Sequence, residues 1–273
     1  MSFNKNILVA VCALLLSAGA VHAAPQAELW PHWQANTPES TIHIDHAAWG
    51  TFLHKYLVVS KDGTPNLVRY GSVTAADHQA LADYLTRLST VTVSQLKRTE
   101  QKAYWINLYN ALTVETILNN YPVSSIREIK SGWFSPGPWD LKLIKIERLD
   151  LSLNDIEHRI LRPIWRDNRI HYAVNCASYS CPNLQSEPFT AENTERLLNQ
   201  AASAYVNSSR GVKFEGDTLV LSSIYDWYQV DFGGNETRLL NYLEGLADPE
   251  LAGRLKAFKG SVAYSYDWHL NGL

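Results

Sequence analysis

Cysteine, methionine and charge are scarce in this chain. Of 273 residues, three are cysteine, one is methionine, and charged residues make up 19%. So few thiols exclude a disulfide-built scaffold. Lys+Arg at 24 against Asp+Glu at 27 gives a net charge of −3. No basic face is available, which argues against nucleic acid as a partner. After residue 23 no stretch approaches the roughly 20 apolar residues of a membrane span. There is no HExxH, paired CxxC or EF-hand loop, and no Gly-rich phosphate loop, so neither metal nor cofactor is expected. What the chain does have is a hydrophobic share of 46%, with nine Trp and 14 Tyr. That composition excludes disorder as the main state and suits a thick core with aromatic-lined clefts.

Residues 1–23 read as an export signal. Lys5 supplies the positive end, residues 7–18 the apolar run, and Val21-His22-Ala23 a cleavage site. Periplasmic or secreted localisation follows, which leaves Cys176 and Cys181 as the remaining thiols in an oxidising compartment. Residues 24–44 are polar and Pro-containing, an extended lead-in, and residues 45–273 form one domain.

Within that domain, a turn at residues 62–65 separates short strand-like runs at 56–59 and 67–70. Thr74 with Asp77 predicts a capped helix whose stripe is Leu81, Tyr84, Leu85 and Leu88. The helix expected over 99–119 is apolar around most of its circumference, the pattern of a central buried helix. Residues 121–140 form an aromatic loop with Trp133, Phe134 and Trp139. A half-exposed strand follows at 141–146, then a helix from Asn154 ended by Pro163. Residues 170–176 read as a strand, and Thr190 caps an amphipathic helix through Val206. Gly216-Asp217 joins a hairpin of 212–215 with 218–221. Short helices at 224–228, 236–246 and 250–258 precede a last strand at 262–266. The order predicts an α+β fold, with a central buried helix packed on a mixed, mainly antiparallel sheet.

The residues able to carry chemistry fall into separate groups. Cys176 ends the 170–176 run and is followed by small residues, an arrangement that suits a nucleophilic thiol. Cys181 is close enough in sequence for a structural disulfide, and both readings stay open. Strand alternation would put His171 and Cys176 on opposite faces. Glu157 and His158 lie in the first turn after Asn154, where Glu157 caps the helix or orients a base. On an α-helix those two point about 100° apart, so Glu157 is a poor orienter of His158 and serves His171 or binds substrate instead. Asn107 and Asn110 are amides on the buried helix that need partners, either as structural bonds or as supports and lining of a cleft. Asp231 and Asp267, among aromatics, read as turn caps.

Taken together, the motifs at 100–110, 153–162 and 171–182, with Trp227-Tyr228, Asp231-Phe232-Gly233 and Tyr266-Asp267-Trp268, resemble the domain-of-unknown-function family 547. The resemblance spans about residues 45–271 and implies an architecture similar to papain- or transglutaminase-like folds. Those folds start their central helix with the nucleophilic Cys. Here that helix starts Thr99-Glu100-Gln101-Lys102, so a thiol nucleophile has to come from Cys176.

The reading that results is a cysteine-dependent hydrolase or acyl transferase. Cys176 is the nucleophile, His158 or His171 the base, and Glu157 an orienting or substrate-contacting acid. Asn107, Asn110, Cys181 and Trp139 contact substrate. The alternative is a non-catalytic periplasmic module with a Cys176–Cys181 disulfide. In either case the ligand is a peptide, glycan or small molecule.

Overall fold

The computed structural model describes residues 25–60, 63–130, 132 and 137–273. The export segment and the loop aromatics Trp133 and Phe134 lie outside the described residues. In chain order the elements are α1 (Ala47–Tyr56), β1 (Leu57–Val58), β2 (Leu67–Val68), α2 (Ala75–Ser89) and α3 (Arg98–Leu118). Next come β3 (Ile144–Ile146), β4 (Leu149–Leu151) and a π-helical segment, Asp155–Leu161, that runs into α4 (Arg162–Trp165). The rest are α5 (Thr194–Val206), β5 (Val212–Glu215), β6 (Thr218–Ser222), α6 (Ser223–Trp227), α7 (Glu236–Leu246), α8 (Pro249–Ala257) and β7 (Ser261–Ser265). The fold is α+β, as the sequence predicts. Among the described residues the strands form three small sheets, β1-β2, β3-β4 and β5-β6-β7, with β7 parallel to β6 and the other pairs antiparallel.

Local signals account for most of these elements. Thr74 Oγ1 accepts the Asp77 N–H, and the stripe Leu81, Tyr84, Leu85 and Leu88 is buried. Gly216, at φ +59°, makes the β5–β6 turn in the left-handed region that glycine adopts at no steric cost. Around α3 every residue from Glu100 to Val114 is buried. Its main neighbours are α2, the π-helical segment and α5 rather than one broad sheet.

The polar side chains of α3 explain why a helix buried all round is not purely apolar. Most of them fasten neighbouring loops, chiefly through backbone groups. Glu100 accepts the Ile44 N–H, and Gln101 donates to the Ala35 and Val93 carbonyls. Lys102 pairs with Asp167 and Glu195. Asn107 exchanges two bonds with the Phe189 backbone, at 2.7 and 3.0 Å. Asn110 does the same for the segment that carries Cys176. The lead-in is docked as well: Trp33 sits edge-on to Trp105, ring centroids 5.0 Å apart. No helix among the described residues is long and apolar enough to cross a membrane.

Candidate active site

The segment expected as a strand over 170–176 is instead a 3₁₀ turn, Asn168–Tyr172, followed by irregular chain. Asp167 caps it by accepting the Arg169 N–H at 3.0 Å. The alternation that separated His171 from Cys176 therefore does not operate. Asn110 takes the place of a neighbouring strand. It donates to the Ala173 carbonyl at 2.9 Å and accepts the Asn175 N–H at 2.8 Å. Asn175 then donates to the Pro182 carbonyl and accepts the Ala177 N–H, closing the loop on itself. Ala177 has φ +57°. For a residue with a Cβ that conformation costs roughly 1–2 kcal/mol, and the bonds of Asn175 and Asn271 hold it there. The sharp bend returns the chain so that Cys181 faces Cys176.

The two sulfurs are free thiols 3.1 Å apart. A disulfide needs about 2.0 Å, so the staple considered from the sequence is not formed in this structure. Cys176 is half-buried and Cys181 buried, 4% exposed. Ser178 Oγ and the Tyr266 hydroxyl each lie 3.1 Å from Cys176 Sγ, and Ser178 donates to Tyr266 at 3.0 Å. Burial alone would raise the Cys176 thiol. Hydrogen bonds from Cys181, Ser178 and Tyr266 outweigh that and hold it below its ordinary value. Burial and the bond to Cys176 push Cys181 up. Burial and the two sulfurs also push Tyr266 up, which keeps its O–H as a donor. The C-terminal tail delivers Tyr266 through backbone bonds from Tyr179 and Ser180 to the His269 and Asp267 carbonyls.

A second polar group forms beside the first. Pro163 has no N–H, and in the π-helical register Arg162 N–H bonds to the Glu157 carbonyl. The His158 carbonyl, which an N–H at position 163 would take in this register, accepts from Glu28 of the lead-in, and the Arg159 carbonyl accepts from Trp30, both at 2.9 Å. Pro163 therefore does not end the helix as expected. It sits in the first turn of α4, which runs on to Trp165 and stops at Arg166, φ +49°. The wider winding brings Glu157, His158 and Arg162 toward one side. Arg162 donates to His158 Nδ1 at 3.0 Å and to Asp231 at 2.7 Å. His171 stands between two carboxylates, 2.7 Å from Asp231 and 3.5 Å from Glu157. Tyr228 stacks on its ring at 4.2 Å.

Burial pushes His158 down to about 4, so its ring is neutral at neutral pH and accepts from Arg162. Burial alone would raise Glu157 and Asp231. The neighbouring His158, His171 and Arg162 hold Glu157 down to about 2, and the hydrogen bonds of His171 and Arg162 do the same for Asp231. The two groups are not in direct contact: the hydrogen-bond partners of Cys176 Sγ are Cys181, Ser178 and Tyr266, and no imidazole is among them. Burial, with the charges of Glu157 and Cys176 adding to it, pushes both Tyr109 and Tyr228 up.

Residues 93–206 match the model of a family described as "Protein of unknown function, DUF547". The match takes in α3, Glu157, His158, His171 and both cysteines. It stops before Tyr228, Asp231 and Tyr266, which the fold brings in from the C-terminal part. No curated protein and no solved structure matches the chain.

Among the residues singled out in the sequence, Glu157, His158 and His171 come together, and Cys176 meets Cys181. Asn107 and Asn110 spend their amides on backbone. Trp139 packs edge-on against Trp268, at 5.6 Å, and Trp268 stacks with Trp227 and touches Tyr266. An open pocket of about 510 Å³, lined by Ser124, Ser125, Glu128 and residues 265–269, adjoins this aromatic group. Among the described residues no group of three or more His, Cys, Asp or Glu is placed to hold a metal ion. Sequence reasoning missed Arg162, Ser178 and Tyr266 as partners, and assigned Asp231 to a turn. The recurrence of Asp231 and Tyr266 in the family-like motifs was the available signal.

Proposed function

We propose that this protein is an exported, thiol-dependent hydrolase or acyl transferase in which Cys176 carries the acyl group. The observation that supports it is the ring of hydrogen-bonding groups on a half-buried sulfur, Cys181, Ser178 and Tyr266. Donors that favour the thiolate raise the fraction of nucleophile present at neutral pH. The thiolate attacks the substrate carbonyl, a thioester forms, and the leaving group departs with a proton. Water or an acceptor nucleophile then cleaves the thioester and regenerates the thiol.

Of the two histidines, His171 is the better base. His158 is held at about 4 with its Nδ1 occupied by Arg162, and a base that weak is poorly matched to neutral pH. Asp231 orients His171 through Nε2 at 2.7 Å and leaves Nδ1, 3.5 Å from Glu157, to take the proton, and His158 positions Arg162. No imidazole is among the hydrogen-bond partners of the sulfur, so substrate or a water completes the route from His171. Asn110 acts by holding the thiol loop, Asn107 by holding the chain at Phe189, and Trp139 by walling the cleft in which a peptide, glycan or small acyl compound lies.

The test uses p-nitrophenyl acetate as acyl probe with the reduced full chain. Acetyl is expected on the Cys176 peptide by mass spectrometry and absent in a folded Cys176→Ser variant. His171→Ala is expected to slow deacetylation by about 10²–10⁴-fold. A folded wild-type protein that acquires no acetyl on Cys176 overturns the reading.

A further inference from the structure

We infer that Cys176 and Cys181 form a thiol–disulfide couple, with Cys176 the attacking thiol and Cys181 the resolving one. The inference needs only the two sulfurs and does not rest on acyl chemistry. Closing 3.1 Å to bonding distance takes a movement of about 1 Å, within a loop that already turns back on itself at Ala177. The order of events follows from access. Cys176 is half-buried while Cys181 is sealed, so an incoming reagent meets Cys176 first.

The step balances with an organic disulfide as oxidant. Cys176 thiolate attacks one sulfur of the disulfide, the S–S bond of the reagent breaks, and one thiolate leaves and takes a proton from solvent. The mixed disulfide on Cys176 is then attacked by Cys181, which loses its proton. A Cys176–Cys181 bond forms and the second thiol departs. Two protein thiols are oxidised and one disulfide is reduced to two thiols.

The surroundings favour the second attack once the first has happened. Burial is the main cause that raises Cys181, and the bond and charge from Cys176 add to it. Capping Cys176 removes both of those additions. Burial remains, opposed by the Cys176 N–H, which points at Cys181 Sγ from 3.0 Å and stabilises a thiolate there. A buried thiol that receives a backbone N–H and faces a half-buried one is arranged to resolve an adduct rather than to start one.

The experiment equilibrates the reduced full chain with glutathione disulfide, quenches with iodoacetamide and maps the peptides. Cys12, the third cysteine, is followed on its own peptide. The wild type is expected to lose both alkylatable thiols together and to yield a 176–181 linked peptide that dithiothreitol reverses. Cys181→Ala and Cys181→Ser are expected to stop at glutathione bound to Cys176. Cys176→Ala is expected to leave Cys181 unmodified while the protein stays folded. A wild type that accumulates glutathione on Cys176 without forming the link, or that is modified first at Cys181, overturns the couple. The wild-type result stands even if a variant misfolds. Because the readout is covalent state rather than turnover, a failed acetylation of the reduced protein leaves it untouched.

Discussion

At the scale of single residues, the thiol loop depends on side chains that act as backbone. Asn110 pairs one carbonyl and one N–H in a buried segment, and Asn110→Ala leaves both without partners. At about 1–3 kcal/mol for each unpaired buried group, urea unfolding is expected to show a loss of several kcal/mol. Tyr266 is a sharper probe of chemistry. Tyr266→Phe removes a donor to the thiolate, so the Cys176 pKa is expected to rise and alkylation at fixed neutral pH to slow. The iodoacetamide rate against pH reads this directly; an unshifted profile would remove Tyr266 from the sulfur's environment. The sequence showed that buried amides on this helix needed partners, because an unpaired amide is costly wherever it is. It could not show which backbone they would meet. Asp231 was misjudged for the same reason: a carboxylate in a turn has a sufficient local explanation, and His171 lies 60 positions away.

At the scale of elements, the π-helical segment and the lead-in make one another possible. Pro163 offers no N–H to the His158 carbonyl, and the lead-in bonds both that carbonyl and the one of Arg159. Trp33 supplies the apolar side of that contact, buried against Trp105 at 2% exposure. Trp33→Ala is expected to cost about 3–5 kcal/mol and to loosen residues 25–34 in hydrogen exchange. Proteolysis of that segment in the variant, without unfolding of the rest, is the corresponding readout. The periodicities behind α2, α3, α5 and the β5–β6 hairpin were plain in the sequence, since each element is amphipathic or buried in a regular way. The 170–176 segment was read as a strand because apolar residues alternate there. Asp167 as a cap and Asn110 as a substitute for a neighbouring strand overrode that local preference.

Across the whole molecule, two apolar clusters meet along α5. Leu197 and Leu198 belong to the cluster around α3, while Ala201, Ala202, Tyr205 and Val206 belong to the one under β5, β6 and α7. Buried histidines link this packing to pH. Burial is the main cause that lowers His46 and His158 from 6.5 to about 4. Between those values the unfolded chain takes up protons that the folded chain refuses. Stability is therefore complete above about 6.5 and falls as pH drops toward 4, by about 1–3 kcal/mol for each histidine. Urea midpoints at pH 7 and pH 4.5 measure the loss, and a flat profile would show that these rings are solvated.

By itself the sequence determined the α+β class, most helices and the β5–β6 hairpin. Those follow from composition and from periodicities of a few residues, which act before distant parts of the chain meet. Only the tertiary structure decided that His171 stands between Glu157 and Asp231, and that Tyr266 reaches a sulfur 90 positions earlier in the chain. Such meetings are set by how two apolar clusters pack and where the tail is pinned. They leave no mark on the spacing of neighbouring residues.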